Sequence, residues 1–139
     1  MPLMMDKPTL ETFLSEQFAQ VADQFAVEAV SENAITMRLR VGYNHLRPGG
    51  TISGPSMFAL ADVSIYLAVL AMIGPKALAV TTNCSIDFMR KPAAGVDLIA
   101  EARILKLGRV LAVGDVLIYS EGMVDPVARA SMTYSIPPN

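Results

Sequence analysis

The sequence predicts an α+β fold in which an antiparallel sheet of about five or six strands wraps a long central helix, all within one domain spanning residues 1–139. Three observations predict it. The stretch 54–73 is apolar almost all round, one alternating strand precedes it, and four strand-like runs separated by short turns follow it. A helix without a polar face must be surrounded, and the sheet is the only large element available to do so.

Taken in order, Leu10, Phe13, Leu14, Phe18 and Val21 recur at three- and four-residue spacing and predict an amphipathic helix over about 8–24, with Thr9 as its N-cap. From Ala34 to Val41 the pattern becomes alternation, with Ile35, Met37, Leu39 and Val41 on one face, which predicts a half-buried strand. The segment 42–54 is glycine-rich and carries Pro48, so it reads as a loop with special backbone angles. Ser53-Gly54-Pro55 reads as a helix start, and Gly74-Pro75 as its stop. Four strands follow at roughly 79–89, 97–107, 110–120 and 127–136. The turns between them predict that successive strands are antiparallel neighbours in a meander.

The composition is 53% hydrophobic and only 17% charged, more apolar surface than a chain of 139 residues easily hides, so self-association is expected. A net charge of -2 argues against nucleic acid as a partner. Cys84 is the single cysteine and has no metal-ligand spacing around it, so neither an internal disulfide nor a metal site is expected, and a reducing, cytoplasmic setting fits. Asp6, Glu11 and Glu16 fall where a signal peptide would need a basic start and an unbroken apolar run. Val63–Pro75, bracketed by Asp62 and Lys76, falls short of the ~20 residues of a spanning helix and reads as buried core rather than a membrane partner.

Asp62 stands out because its helical neighbours Phe58, Ala59, Ile65 and Tyr66 cannot pair with a carboxylate. It must be paired from another element, be protonated, or face a cleft, and both a structural partner and a functional acid remain open. His45, the only histidine, reads as a solvated or hydrogen-bonded loop residue before it reads as a base. Arg47 in the same loop either clamps an anion or lies on the surface. Cys84 alternates with Val80, Thr82, Ile86 and Phe88 and reads as core, and no serine has a nucleophile-elbow context. Arg90, Lys91, Arg103, Lys106 and Arg109 face only Asp97 and Glu101 between positions 90 and 109, a local basic excess that serves either phosphate contacts or edge-strand protection.

The stretch HLRPGGTISGPSMFALAD, His45 to Asp62, resembles the loop and helix start of PaaI-like hotdog-fold thioesterases. Leu60-Ala61-Asp62 matches the family's helical acid, and Ser53-Gly54-Pro55 stands where a His-Gly-Gly tripeptide is usual. The run from Ile86 to Tyr119, with its Arg-Lys-Pro and Lys-Leu-Gly-Arg turns, resembles the family's strands, so the similarity covers most of the chain from about residue 34. The resemblance implies a hotdog domain that hydrolyses acyl-CoA without a cofactor. In it Asp62 is the general base or nucleophile, and the Gly54 N–H helps stabilise the oxyanion. The residues themselves add Arg47, Ser53, Tyr66, Arg90, Lys91 and Arg109 as candidate substrate contacts, and the open sheet edges with the apolar composition predict a homodimer or homotetramer. Two departures stand out: Ser53 replaces the usual His, and Arg47 occupies a position where many relatives carry Asn or Gln. An arginine beside Asp62 would either hold it ionised or tie it up in an ion pair.

Two other functions compete with the thioesterase. One is an acyl-CoA-binding hotdog domain without efficient hydrolysis, distinguished by thioester binding with no thiol release. The other is a hotdog dehydratase, which would need His45 to bend back to the helical acid. Acyl-chain preference is expected to depend on how Met57, Phe58 and Tyr66 pack against a partner chain.

Overall fold

A computed structural model describes residues 2–76 and 78–138. Helix α1 spans Lys7–Gln17, followed by strands β1 (Phe25–Ser31) and β2 (Ala34–Leu39), helix α2 (Gly54–Ile73), and strands β3 (Val80–Phe88), β4 (Leu98–Leu107), β5 (Leu111–Ser120) and β6 (Ala128–Ser135). One six-stranded sheet runs in the order β1-β2-β4-β5-β6-β3. Every pairing in it is antiparallel. This is the α+β architecture expected, with a sheet wrapped around one long helix.

Helix α2 begins and ends where its punctuation says. Ser53 caps it, its side chain accepting the Ser56 N–H at 3.2 Å. At the other end Gly74 adopts a φ of 95°, a conformation that disfavours any residue with a Cβ. From Ser64 to Met72 every side chain is buried. The helix is apolar and long enough to cross a membrane, yet 67% of its most apolar stretch is buried inside the fold. Small residues on the concave face of the sheet, Ala100, Ala102, Ala112 and Ala130, let it sit close. At Gly114 an added Cβ would lie 2.6 Å from Ile65 Cδ1 and 2.9 Å from the Arg103 carbonyl oxygen, so only glycine fits there.

The structure corrects four readings. The first helix is capped by Asp6, which accepts from both the N–H and the hydroxyl of Thr9, so Thr9 is not itself the cap. That helix stops at Gln17 rather than about 24, and the chain reaches β1 through a bend and one 3-10 turn, Ala22–Gln24. Strand β1 has no counterpart among the strands read from the sequence. Its pairing with β2 shifts register between Val27 and Ala29, and that bulge destroys the alternation by which a strand is recognised. The expected four-strand meander is three strands, β4-β5-β6, because β3 pairs with β6 at the far edge instead of with β4.

Candidate active site around Asp62

On α2, Asp62 is only partly buried and opens onto a cavity of about 480 Å³. The Thr81 hydroxyl from β3 and the Tyr134 hydroxyl from β6 both reach its Oδ1 at 2.5 Å, and the Tyr134 hydroxyl also lies 3.0 Å from the Asp62 carbonyl oxygen. Among the described residues no hydrogen bond reaches Oδ2, which leaves that oxygen for a ligand. Burial, and then the charge of Asp62, push the Tyr134 phenol well above its ordinary range, so it stays protonated and donates. Burial and Asp62 also raise the Cys84 thiol, consistent with a strand cysteine that is not a nucleophile.

Neither Thr81 nor Tyr134 was singled out from the sequence. Tyr134 falls on the inward face of the β6 alternation, and a phenol on an inward face is a natural partner for a carboxylate otherwise stranded in an apolar helix. Thr81 gives no such signal. The rest of the cavity is apolar and aromatic: Phe58 and Tyr66 come from α2, Phe18 and Val21 from the segment after α1, and Phe25 from the start of β1. Tyr66 stacks edge-on against Phe18, with ring centroids 5.5 Å apart. Met57 is buried in the core and does not line the cavity.

The N-terminus of α2 is the second element of the site. Of its first-turn donors, Pro55 has none, Ser56 N–H is held by Ser53 Oγ, and Met57 N–H is held by the Ser53 carbonyl at 3.2 Å. Among the described residues the Gly54 N–H is the one left over, at the positive end of a helix of 20 residues. A Cβ on Gly54 would meet the Phe88 ring at 3.2 Å, so the glycine also lets β3 close over this terminus.

His45 is 6% exposed and acts as a structural clasp. Its Nδ1 accepts the Gly42 N–H at 2.8 Å, which places the ring proton on Nε2, donated to Gln24 Oε1 at 2.8 Å. Desolvation lowers its pKa, favouring this neutral form. Its carbonyl accepts the Ser53 N–H at 2.8 Å and the Ser56 hydroxyl at 3.3 Å, so the loop is fastened to the helix cap.

Of the two readings of Arg47, the chain by itself shows the surface one. It lies in a small turn closed by its own N–H to the Thr51 carbonyl at 2.8 Å, its side chain is exposed, and among the described residues no hydrogen bond or ion pair joins it to Asp62. The basic residues do not form one patch within the chain either. Arg90 and Lys91 follow the Phe88 end of β3, beside Gly54, whereas Arg109 lies in the β4–β5 turn. That turn adjoins the opposite end of the β5–β6–β3 ladder, where Leu111, Ser135 and Val80 align. Nine strand residues separate the two ends, roughly 30 Å. The Arg90 guanidinium donates to the Pro126 carbonyl at 2.8 Å, while Lys91 is exposed. Among the described residues, no group of acidic, histidine or cysteine side chains is placed to hold a metal ion.

The fold has counterparts among known proteins. Over 99% of this chain and 96% of its own, a crystal structure from Silicibacter sp. TM1040, provisionally named a thioesterase, is 62% identical with a TM-score of 0.93. The phenylacetic acid degradation protein PaaI of Thermus thermophilus, in a mutant crystal structure, is 27% identical over 86% of this chain and 99% of its own, with a TM-score of 0.73. A hypothetical thioesterase of Streptococcus pneumoniae, crystallised with coenzyme A, is 19% identical over 91% and 98% of the two chains; its TM-score of 0.77 shows a shared fold. Residues 49–127, which hold the Gly54 terminus, Asp62 and Thr81, match the thioesterase superfamily as a whole. With a sheet-wrapped helix, an acid facing an apolar cavity and that match over more than half its length, the chain belongs to the thioesterase superfamily, in its PaaI-like hotdog branch.

Proposed function

We propose that this protein hydrolyses acyl-CoA thioesters, and that each active site joins Asp62 of one chain to the Gly54 N–H of another. The observation that carries the reading is Asp62 itself, a carboxylate opening onto an apolar cavity, gripped at Oδ1 and, among the described residues, without a hydrogen bond at Oδ2. Two hydroxyl donors on one oxygen fix the carboxylate plane and aim the other oxygen at the reacting carbon. Oδ2 then either takes a proton from an attacking water or adds to the carbonyl directly. The oxyanion formed is stabilised by the Gly54 N–H and the helix terminus, the C–S bond breaks, and the CoA thiolate leaves to be protonated; on the direct route a water then cleaves the acyl–Asp62 anhydride, releasing the acid and restoring the carboxylate.

One chain cannot hold both groups against a single carbonyl. Eight residues along α2 separate Gly54 from Asp62, roughly 12 Å, whereas both must come within about 3 Å of the reacting centre. A twofold pairing that lays two α2 helices antiparallel brings each Asp62 to the other chain's Gly54. Arg90 and Lys91, at the Gly54 end of β3, then lie beside the shared site, where they can meet CoA phosphates; that the Streptococcus protein of this fold was crystallised with coenzyme A supports CoA as the ligand class.

Thiol release from a panel of acyl-CoA esters tests the chemistry, and mixed oligomers test the shared site. Asp62→Asn and Gly54→Pro should each be inactive alone. Refolded together as dimers they should recover about one quarter of wild-type activity, since half the dimers are mixed and half the sites in those are intact. No recovery would show a site built within one chain. Thioester binding with no thiol release from the wild type would instead mean an acyl-CoA-binding protein.

A further inference from the structure

The connector from α1 into β1, residues 18–25, holds no α-helix and meets the strand only at Phe25, yet it is pinned from several directions. The Gln24 backbone carbonyl accepts the Arg40 N–H at 2.8 Å, and the Arg40 guanidinium reaches the Asp23 and Phe25 carbonyls at 2.7 and 3.3 Å. Gln24 Oε1 accepts from His45, and Phe18 packs edge-on to Tyr66. A connector held this firmly has one shape, and its inner side, Phe18, Val21, Gln24 and Phe25, forms a wall of the cavity that opens at Asp62. It also lies outside residues 49–127, the part of the chain that matches the superfamily.

The chemistry of the cavity is one-sided. Among the described residues no Lys, Arg or His lines it, its single charge is Asp62, and the Gln24 side-chain oxygen is already taken by His45. A carboxylate at the far end of an acyl chain would be desolvated there without a counter-charge and would face Asp62. An apolar chain or aryl ring meets Phe18, Phe25, Phe58 and Tyr66 instead. The volume, about 480 Å³, is roughly three times the ~150 Å³ cavity that accommodates benzene. That leaves room for an arylalkanoyl or medium-length acyl group.

We infer that the connector 18–25 is the acyl-specificity element of this protein, and that Phe18 and Val21 are the residues that set acyl length and exclude charged acyl tails. The inference rests on the thioesterase reading for the identity of the site, but its test does not need turnover. Calorimetric binding of non-hydrolysable S-alkyl-CoA thioethers should rank S-octyl at least tenfold tighter than a thioether of equal length ending in a carboxylate. Val21 is only half-buried, so its variants should fold, which thermal melting checks. Val21→Lys should narrow that ratio about tenfold by supplying the missing counter-charge, and Val21→Phe should move the preferred chain about two carbons shorter. Phe18→Leu, at the other end of the wall, should move it longer.

Folded variants that keep the wild-type ranking of thioethers would overturn the inference while leaving hydrolysis untouched. The predicted ranking and shifts, obtained with a protein that releases no thiol from any ester, would leave the specificity element standing and sink the hydrolase.

Discussion

At the β1 edge of the sheet the chain spends several devices on closing itself off, and at the β3 edge it spends almost none. The Val27 N–H of β1 is taken by Glu11 of α1 at 3.2 Å, and a bulge twists the strand at Val27 to Ala29. Glu28 is paired with Arg38, whose guanidinium also binds Asp97 and Glu121 at 2.9 and 2.7 Å. Strand β3 shares the bulge, its pairing with β6 shifting register between Thr81 and Asn83, but it is nine residues long, exposes Val80 and Phe88 at 55% and 51%, and carries as its only charge Asp87, already paired with Arg129. An edge that is covered by a helix and carries a network of charges resists further pairing, whereas a long, uncovered one whose single charge is already paired invites it. The open edge is also the one that supplies Thr81 to Asp62 and Phe88 to Gly54. The edge-closing contacts are thus concentrated at β1, and the proposed chemistry and assembly at β3.

The largest effect expected from separating these roles is on turnover. Asp62→Asn should lower kcat by about 10²–10⁴-fold while melting temperature and oligomer size stay near wild type. A drop in stability with activity spared would recast Asp62 as a structural partner of Tyr134. Next, the paired change Asn83→Lys with Ser85→Lys sets like charges against each other in a twofold β3 pairing. Light scattering should then show monomer, with thiol release falling in step; a full-sized, active oligomer would refute pairing through this edge.

Arg38→Ala should do the reverse, costing about 1–3 kcal/mol of stability because three carboxylates lose their shared partner. Oligomer size and turnover per folded protein should hold. A smaller effect should come from pH. Because burial depresses the His45 pKa below its unfolded value, the neutral clasp contributes fully above pH ~6.5 and is progressively lost as pH falls toward the folded pKa. Melting temperature should decline in that window for the wild type, and less so for His45→Gln. Asp97 and Glu121 act at lower pH. Burial opposes ionisation of Asp97, but the Val41 N–H and Arg38 outweigh it, and Arg38 lowers Glu121. The smallest effect is at the surface: Lys91→Ala should raise KM for CoA esters roughly two- to fivefold at low salt and leave kcat alone. An equal rise from Arg109→Ala would mean that assembly reunites the two basic ends.

By itself the sequence determined the elements whose signals are local. The bounds of α2 follow from a serine cap and a glycine stop, β2 and β6 from alternation, and β4 and β5 from short runs bounded by turns, because capping, side-chain period and turn residues need only a few neighbours. Asp62 was conspicuous for the same reason, a carboxylate with nothing to pair with on its own helix. Only the tertiary structure decided what it pairs with, since Thr81 and Tyr134 lie 19 and 72 positions away on strands that meet at the sheet's edge. The same holds for β3, whose place beside β6 depends on which way the chain crosses α2, and for Arg109, parted from Arg90 and Lys91 by the length of a strand. The connector 18–25 continues the helical spacing of α1 and yet leaves the helix, because stacking Phe18 on Tyr66 and pinning Gln24 to Arg40 and His45 outweigh a local propensity worth only tenths of a kcal/mol per residue.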